Sequence, residues 1–246
     1  MGQYLLTLDR TNWKFGQTHI NILCLAIVQQ SVAIPVLSIL LDKTGNSNTD
    51  EHIPLINRFI ELFGVEKIDG YLADRGFIGT ELVLYLIKNE IKLRIRIQHN
   101  TRVARCRNGT APAYNFFLNL PRGEVIQLRG QRVVWGQKLS VTGTRLMSGE
   151  SLIILSPDAS RVTAVLGDDK RRWEIETLFK TLKSQGFDFE ATRLTGLDRI
   201  ERLLALLTII FCWAHLLGDG YTSKNRSQSR VIAAWPSVFS GMVWTG

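Results

Sequence analysis

The order of apolar and polar positions divides the chain into a strand-rich first third, a middle of short β runs and a helical last third. Leu5 to Asp9 is a short apolar run that predicts a strand. Asn21 to Val28 and Ile34 to Leu41 are aliphatic and β-branched enough for central strands. Thr49 can cap a helix in which Ile53, Ile56, Phe59, Ile60 and Phe63 fall on one face, with Gly64 where it would stop. Ile68 to Ala73 predicts the next strand, ending on Asp74. A helix from Gly79 to Asn89, with Leu82, Tyr85 and Leu86 inward, leads into an alternating strand from Lys92 to Gln98. Strand, helix, strand, helix, strand in this order predicts an α/β fold, a sheet covered by helices.

From about Asn100 the pattern shortens. The runs Val125–Leu128, Val133–Trp135, Leu139–Val141 and Leu152–Leu155, separated by glycine-containing turns, predict a β-rich insertion over residues 100–157. Residues 1–99 would then be the first part of the core. Helix returns after Asp158, where Ile175, Leu178, Phe179 and Leu182 recur at helical spacing, and Leu197 to Leu217 predicts a final apolar helix. Residues 158–220 are thus expected as the helical part of the core and 221–246 as an irregular tail. Two stretches raise the question of a membrane. His19 to Leu41 carries no charge, but Gln29, Gln30, Ser31 and Pro35 break it into two strands. Leu203 to Leu217 is shorter than the roughly 20 residues that a spanning helix needs, so a buried helix is expected and no membrane partner.

Composition narrows the class. Hydrophobic residues make up 45% and charged residues 21%, which excludes a disordered chain. Lys and Arg outnumber Asp and Glu by 30 to 22, a net charge of +8, which favours a polyanionic partner such as nucleic acid. Cys24, Cys106 and Cys212 are widely spaced with no C-x-x-C pair, so neither a disulfide framework nor a zinc site is expected, and a reducing cytoplasm fits. The first residues, MGQYLLTLDRTNWKFG, lack the order of a signal peptide. His19, His52, His99 and His215 are scattered and predict no metal site; His215 reads as a buried histidine.

The candidate chemistry lies in the acids. Asp9 and Asp74 close predicted strands, and Glu176 lies on a predicted helix. Carboxylates at strand ends are held rigidly near the sheet edge where α/β sites form, and magnesium needs few of them because it keeps waters. Two ions flanking a phosphate can activate the attacking oxygen and stabilise the leaving one. Both aspartates can equally be read as turn caps. Arg172, Glu176 and Lys183 run along one helical stripe, with Ile175, Leu178 and Leu182 expected on the opposite side; Arg172 and Glu176 are also the spacing of an ordinary surface ion pair. Lys92, Arg94 and Arg96 alternate with Leu93, Ile95 and Ile97, either as a DNA track extended by Arg102, Arg105 and Arg107 or as a solvated strand face.

The segment RRWEIETLFKTLKSQGFDFE, residues 171–190, resembles the YREK signature of insertion-sequence transposases of the IS-four group. Arg172, Glu176 and Lys183 match its last three positions. LTLDRTNWKFG is similar to the segment with that family's first catalytic aspartate, here Asp9, and YLADRGFIG to the segment with the second, here Asp74. The resemblance implies an RNase H-like mixed sheet flanked by helices, with a β-rich insertion before the helix that carries the glutamate. It implies two Mg²⁺ ions, or Mn²⁺ in their place, on Asp9, Asp74 and Glu176, and DNA contacts by Arg172 and Lys183. It further implies nicking of transposon ends, a hairpin intermediate and strand transfer into target DNA by a homodimer in a synaptic complex, with no small-molecule cofactor. Trp135 is then a candidate platform for a flipped base, or else a core tryptophan.

Two positions depart from the family pattern. Asp169 stands at the signature's tyrosine, where an acid would repel phosphate, and Gly76 stands where D-R-E-F would have glutamate. The alternatives are therefore an inactive fragment that binds DNA or inhibits an intact transposase, and an RNase H-like nuclease without joining activity. The start of the chain close to Asp9 and the tail are expected as signs of truncation. The last residues, GMVWTG, read two nucleotides on can encode Tyr-Gly-Leu-Asp-Trp, so the tail is expected to be frameshifted.

Overall fold

In a computed structural model of the protein, residues 2–15, 18–29, 32–41, 49–106, 108–157, 166–167, 171–185, 187 and 189–223 are described. The expectations for Arg107, Asp169 and the tail from residue 224 lie outside them. Strands β1 (Tyr4–Phe15), β2 (Thr18–Gln29) and β3 (Val32–Leu41) form an antiparallel meander. Helix α1 (Thr49–Phe63) then carries the chain to β4 (Ile68–Ala73), which lies parallel to β1 on its free edge. Helix α2 (Thr80–Lys88) leads to β5 (Leu93–Arg96), parallel to β4. The resulting order β3-β2-β1-β4-β5 is the RNase H-like arrangement, with β1 at its centre.

β1 extends well past the predicted end at Asp9. Its polar continuation, Arg10-Thr11-Asn12, is held by residue-for-residue pairing with β2, from Leu5↔Val28 to Phe15↔Thr18. Backbone pairing sustains a strand where the side-chain pattern has no apolar signal.

Side-chain alternation gives the sheet two covered faces. Leu6, Leu8, Leu23 and Leu25 pack in one cluster with Phe59 of α1 and Leu82 and Leu86 of α2. Ile20, Ile22, Cys24 and Ala26 pack on the opposite side with residues of α3 (Glu174–Lys180) and α4 (Leu197–Ser223), among them Ile175, Leu178, Ile200 and Leu204. The inward stripe of α1 is His52, Leu55, Ile56 and Phe59, rotated from the predicted one; Ile53, Ile60 and Phe63 pack at its rim. In α2 Val83 is buried where Tyr85 was expected, and Tyr85 sits partly buried with its hydroxyl donating to Asn57 of α1. A stripe read from apolar residues alone omits the buried histidine and moves the centre of the face.

Residues 100–157 are β-rich, but they extend the main sheet. A small pair, β6 (Arg102–Ala104) and β7 (Thr110–Pro112), comes first. β8 (Val125–Gln127), β9 (Arg132–Val134), β10 (Gln137–Arg145) and β11 (Ser151–Ser156) follow. β11 pairs antiparallel with β5 through Ile154↔Arg96 and Leu155↔Ile95, which continues the order as β5-β11-β10-β8 in a nine-stranded sheet. One buried cluster runs from Leu6 and Phe59 to Phe117, Leu139, Val141 and Leu155. An edge on β5 would leave backbone donors and acceptors unpaired, and β11 takes it.

Gly143 marks how tightly this extension is packed. A Cβ there would fall 2.4 Å from the ring of Phe117, which is itself buried. Gly143→Ala is therefore expected to destabilise by about 1–3 kcal/mol through overpacking. Urea unfolding reads this directly, and an unchanged midpoint would show that the ring moves freely aside.

The last helix corrects two expectations. It runs on to Ser223, past the expected end of the core, and it is buried on one side only. Ile200, Leu204, Leu207, Phe211 and Cys212 face the sheet, while Leu206, Ile209, Ile210 and Trp213 are exposed, Trp213 by 64%. A helix laid on a sheet has a single side against it, whatever the composition of the other. Among the described residues no helix is long and apolar enough to cross a membrane.

Candidate active site

Three elements bring the sequence-nominated acids toward one region. β1 and β4 run parallel in the register Leu8↔Ala73, so the next residues along, Asp9 inside β1 and Asp74 just past the end of β4, come side by side. Asp9 lies opposite Cys24 of β2, whose side chain belongs to the cluster under α3 and α4, so Asp9 sits on the sheet face that α3 covers. Thr7 and Thr11, on the same alternation, are buried. Glu176 stands on α3, whose Ile175, Leu178 and Phe179 anchor the helix on that face.

The electrostatics follow from this placement. Burial is the main cause that lifts the Asp9 carboxyl from its ordinary 3.8 to about 6. A hydrogen bond from the Arg10 backbone N–H to Oδ1, 2.7 Å long, and the Arg172 guanidinium oppose the rise, while the charges of Glu176 and Asp74 add to it. Asp9 thus feels both other acids. The Cys24 thiol opposite is pushed up to about 12, chiefly by burial and secondarily by the Asp9 charge.

Asp74 begins a single 3-10 turn, Arg75–Phe77, and its carbonyl accepts the Phe77 N–H at 3.0 Å. Its side chain does not cap that turn; Oδ1 is buried and has no hydrogen-bond partner among the described residues. The plain reading of Asp74 as a turn cap therefore fails on geometry. Gly76, two residues on, has open space around the position of a Cβ, so the missing glutamate is not a consequence of crowding.

Arg172 departs from the expectation that it lies opposite Ile175. It is 3% exposed, its Nη1 3.5 Å from Glu176 Oε1, with its guanidinium 5.5 Å from the centre of the Trp173 ring. The i, i+3 step from Arg172 to Ile175 is a same-face spacing, a signal the stripe through Glu176 obscured. Lys183 lies in a π-helical continuation, Thr181–Gln185, and its Nζ donates to the backbone carbonyl of Asn12 at 2.7 Å, on β1 beyond Asp9. Arg171, which sequence reasoning passed over, donates from Nη2 to Val28 O at 3.0 Å and pins the start of the helical segment to the end of β2.

The other nominated residues belong to the β5 segment and to the turn between β9 and β10. Lys92 is exposed and Arg94 half-buried, but Arg96 is buried and ion-paired to Glu150 at 2.5 Å, so the three do not make an open cationic face. Only Arg96 of the three is buried, and the Glu150 carboxylate accepts its charge. Trp135 occupies the two-residue turn between β9 and β10 with φ 50, followed by Gly136 at φ 77, and its partly buried side chain packs against the main core. All three cysteines are free, with Cys24 and Cys212 buried and Cys106 exposed. His215 is half-buried, edge-on to Phe211 with ring centres 4.7 Å apart.

A family profile described as "Transposase DDE domain" matches residues 4–213, which is most of the chain. The chain belongs to that family. Residues 9, 74 and 176 lie within the matched span. No curated protein matches the sequence. Among solved structures, a cryo-EM structure of the piggyBac transposase synaptic complex with hairpin DNA is similar at 12% identity and a TM-score of 0.49. The alignment covers 98% of this chain and 53% of that one, so this DDE domain spans about half the length of that transposase.

A DDE transposase domain is the catalytic domain of a DNA-acting enzyme, and its family generally uses divalent metal ions. The donors fit such an ion in kind: they are hard carboxylate oxygens, one of them, at Asp74, buried without a partner among the described residues. Among the described residues no three His, Cys, Asp or Glu side chains stand close enough to form a ready cage. Glu176 stands 3.5 Å from the Arg172 guanidinium, and its charge and that of Asp74 act on Asp9.

Proposed function

We propose that this chain is the catalytic core of an insertion-sequence transposase of the IS-four, YREK kind, which nicks element ends and transfers the strand into target DNA. The observation that carries the reading is the meeting of β1, β4 and α3: Asp9 and Asp74 adjacent in register, and Glu176 acting electrostatically on Asp9 from the helix above. On this reading Asp9, Asp74 and Glu176 hold two Mg²⁺ ions, with Mn²⁺ able to replace them. Those ions, when bound, neutralise the developing charge on a phosphate and lower the pKa of the attacking hydroxyl or water.

The chain's own residues do the rest. Burial of Asp9 on the covered face keeps water from screening the site, so each charge there acts at greater strength. Arg172 and Lys183 contact the DNA backbone near the cleaved phosphate, and Lys183 ties its segment to β1 through Asn12. Arg96, engaged with Glu150, and Trp135, packed on the core, are left to structural roles; Lys92 and Arg94 remain as DNA contacts at the margin. The partners are transposon-end DNA, target DNA and a second copy of the chain in a synaptic complex, acting at the bacterial nucleoid.

Incubation of the protein with DNA carrying the element's terminal repeats tests the reading. Mg²⁺-dependent nicks at the repeat ends and joined products are expected. Cleavage without joining indicates an RNase H-like nuclease. Binding with no cleavage in either Mg²⁺ or Mn²⁺ indicates a non-catalytic fragment, the outcome that the acid at Asp169 favours.

A further inference from the structure

We propose that Arg172 is the resident counter-cation of the acidic site, held against Glu176 in the metal-free chain and released toward a phosphate oxygen when divalent ions take over charge compensation. The proposal rests on the metal-binding reading above and adds a gate to it: the guanidinium and the ions exclude each other, so the DNA-binding fork is freed only in the loaded site.

Several observations point the same way. A guanidinium that is 3% exposed is too enclosed to meet a DNA backbone as it stands. Among the described residues its ion pair is with Glu176, at 3.5 Å, a loose contact between a buried and a half-buried side chain. Its Nε is buried without an acceptor among the described residues, so the fork is underused where it sits. Trp173, itself 53% exposed, covers the guanidinium from outside as a cation–π lid of modest strength. Arg172 also acts on Asp9 against the effect of burial.

The charges then set the competition. Three carboxylates act in one region, and Arg172 is the guanidinium among them that both touches Glu176 and acts on Asp9. Added divalent charge repels a buried guanidinium and removes its reason to stay. An arginine exchanged in this way arrives at the phosphate only after the ions are present, which couples DNA engagement at the scissile position to metal loading.

The test uses the full chain, Mn²⁺ as the probe ion and phenylglyoxal, which modifies accessible arginines, with peptide mapping by mass spectrometry. Without metal, Arg172 is expected to react far more slowly than exposed Arg193. Saturating Mn²⁺ is expected to raise the Arg172 rate about tenfold or more while leaving Arg193 unchanged, since exposure of a buried cation follows the loss of its counter-charge. A rate at Arg172 that stays the same or falls overturns the proposal. Arg172→Gln gives a second reading: Mn²⁺ affinity by electron paramagnetic resonance should tighten about tenfold, because a unit of competing positive charge is gone. Equal or weaker affinity also overturns it, and if that variant does not fold the labelling of the wild-type chain decides. Asp9→Asn and Asp74→Asn separate the two claims. If both keep wild-type Mn²⁺ affinity, the metal-site reading itself falls; if both lose affinity while Arg172 labelling ignores the ion, only the gate falls.

Discussion

Asp74→Asn is expected to lower Mg²⁺-dependent nicking on the order of 10³-fold, the loss of several kcal/mol of charge stabilisation in the transition state, while DNA affinity at fixed salt stays within about twofold. The substitution keeps the shape of the side chain and removes its charge. Asp74 follows β4 immediately, beside Asp9, and its Oδ1 is buried with no hydrogen-bond partner among the described residues, so no structural bond of the carboxylate oxygen is lost. Affinity for DNA comes largely from cations on phosphates and should not follow a single carboxylate. Nicking rates and binding isotherms on the same end-DNA measure the two quantities. Nicking that survives at the wild-type rate removes Asp74 from the site.

Asp9→Asn is expected to abolish nicking as well, and at the same time to make the metal-free protein more stable at alkaline pH. The folded pKa of Asp9 is about 6, above its ordinary 3.8, mainly because burial penalises the charged form. The stability carried by that proton is therefore fully present below about pH 3.8 and is lost as pH rises through about 6. By pH 8 the ionised carboxylate costs the fold up to about 3 kcal/mol. Asparagine is neutral throughout and can still accept the hydrogen bond from Arg10 N. In EDTA at pH 8 the variant should melt higher by roughly 5–10 °C for a domain of this size, with the gain fading below about pH 4. Mg²⁺ should narrow the gap by compensating the wild-type charge. A variant that melts lower than wild type at pH 8 would mean that the ionised Asp9 is held by stabilising partners rather than exposed to desolvation. Such an outcome fits a structural carboxylate of β1 better than a metal ligand, and the site would lose its central residue.

The Asp9 variant describes a residue kept at the expense of stability. The Asp9 carboxylate on a covered sheet face raises the energy of the metal-free fold, and the Arg172 guanidinium offsets part of that burden. Such a trade is common where a site must bind charge that is absent from the resting protein.

Much of this was legible in order along the chain. The apolar run that ends at Ala73 is the observed β4, and the helices ending at Phe63 and Lys88 have the predicted ends to within a residue. Asp9, Asp74 and Glu176 stand out in the sequence alone, by predicted strand ends and by a signature-like spacing. The misreadings share a cause. Arg96 looked solvent-facing because it alternates with Leu93 and Ile95, but it is buried and Glu150 accepts its charge. Arg172 looked like a surface partner of Glu176, and its helical segment instead turns it under Trp173. Leu206, Ile209, Ile210 and Trp213 looked like core, yet the sheet reaches only the other side of their helix.

Period and composition by themselves determined which segments are strands and helices, the polyanion-seeking charge and the acids worth nominating, because those properties depend on neighbours a few positions apart. Only the tertiary structure decided that β1 and β4 align Leu8 with Ala73, that residues 100–157 join the same sheet through β5 and β11, and that an arginine is enclosed among the carboxylates. Strand partners and counter-charges are chosen between segments remote in the chain. Many pairings satisfy the same local alternation, and the one adopted is selected by how all the faces are covered at once.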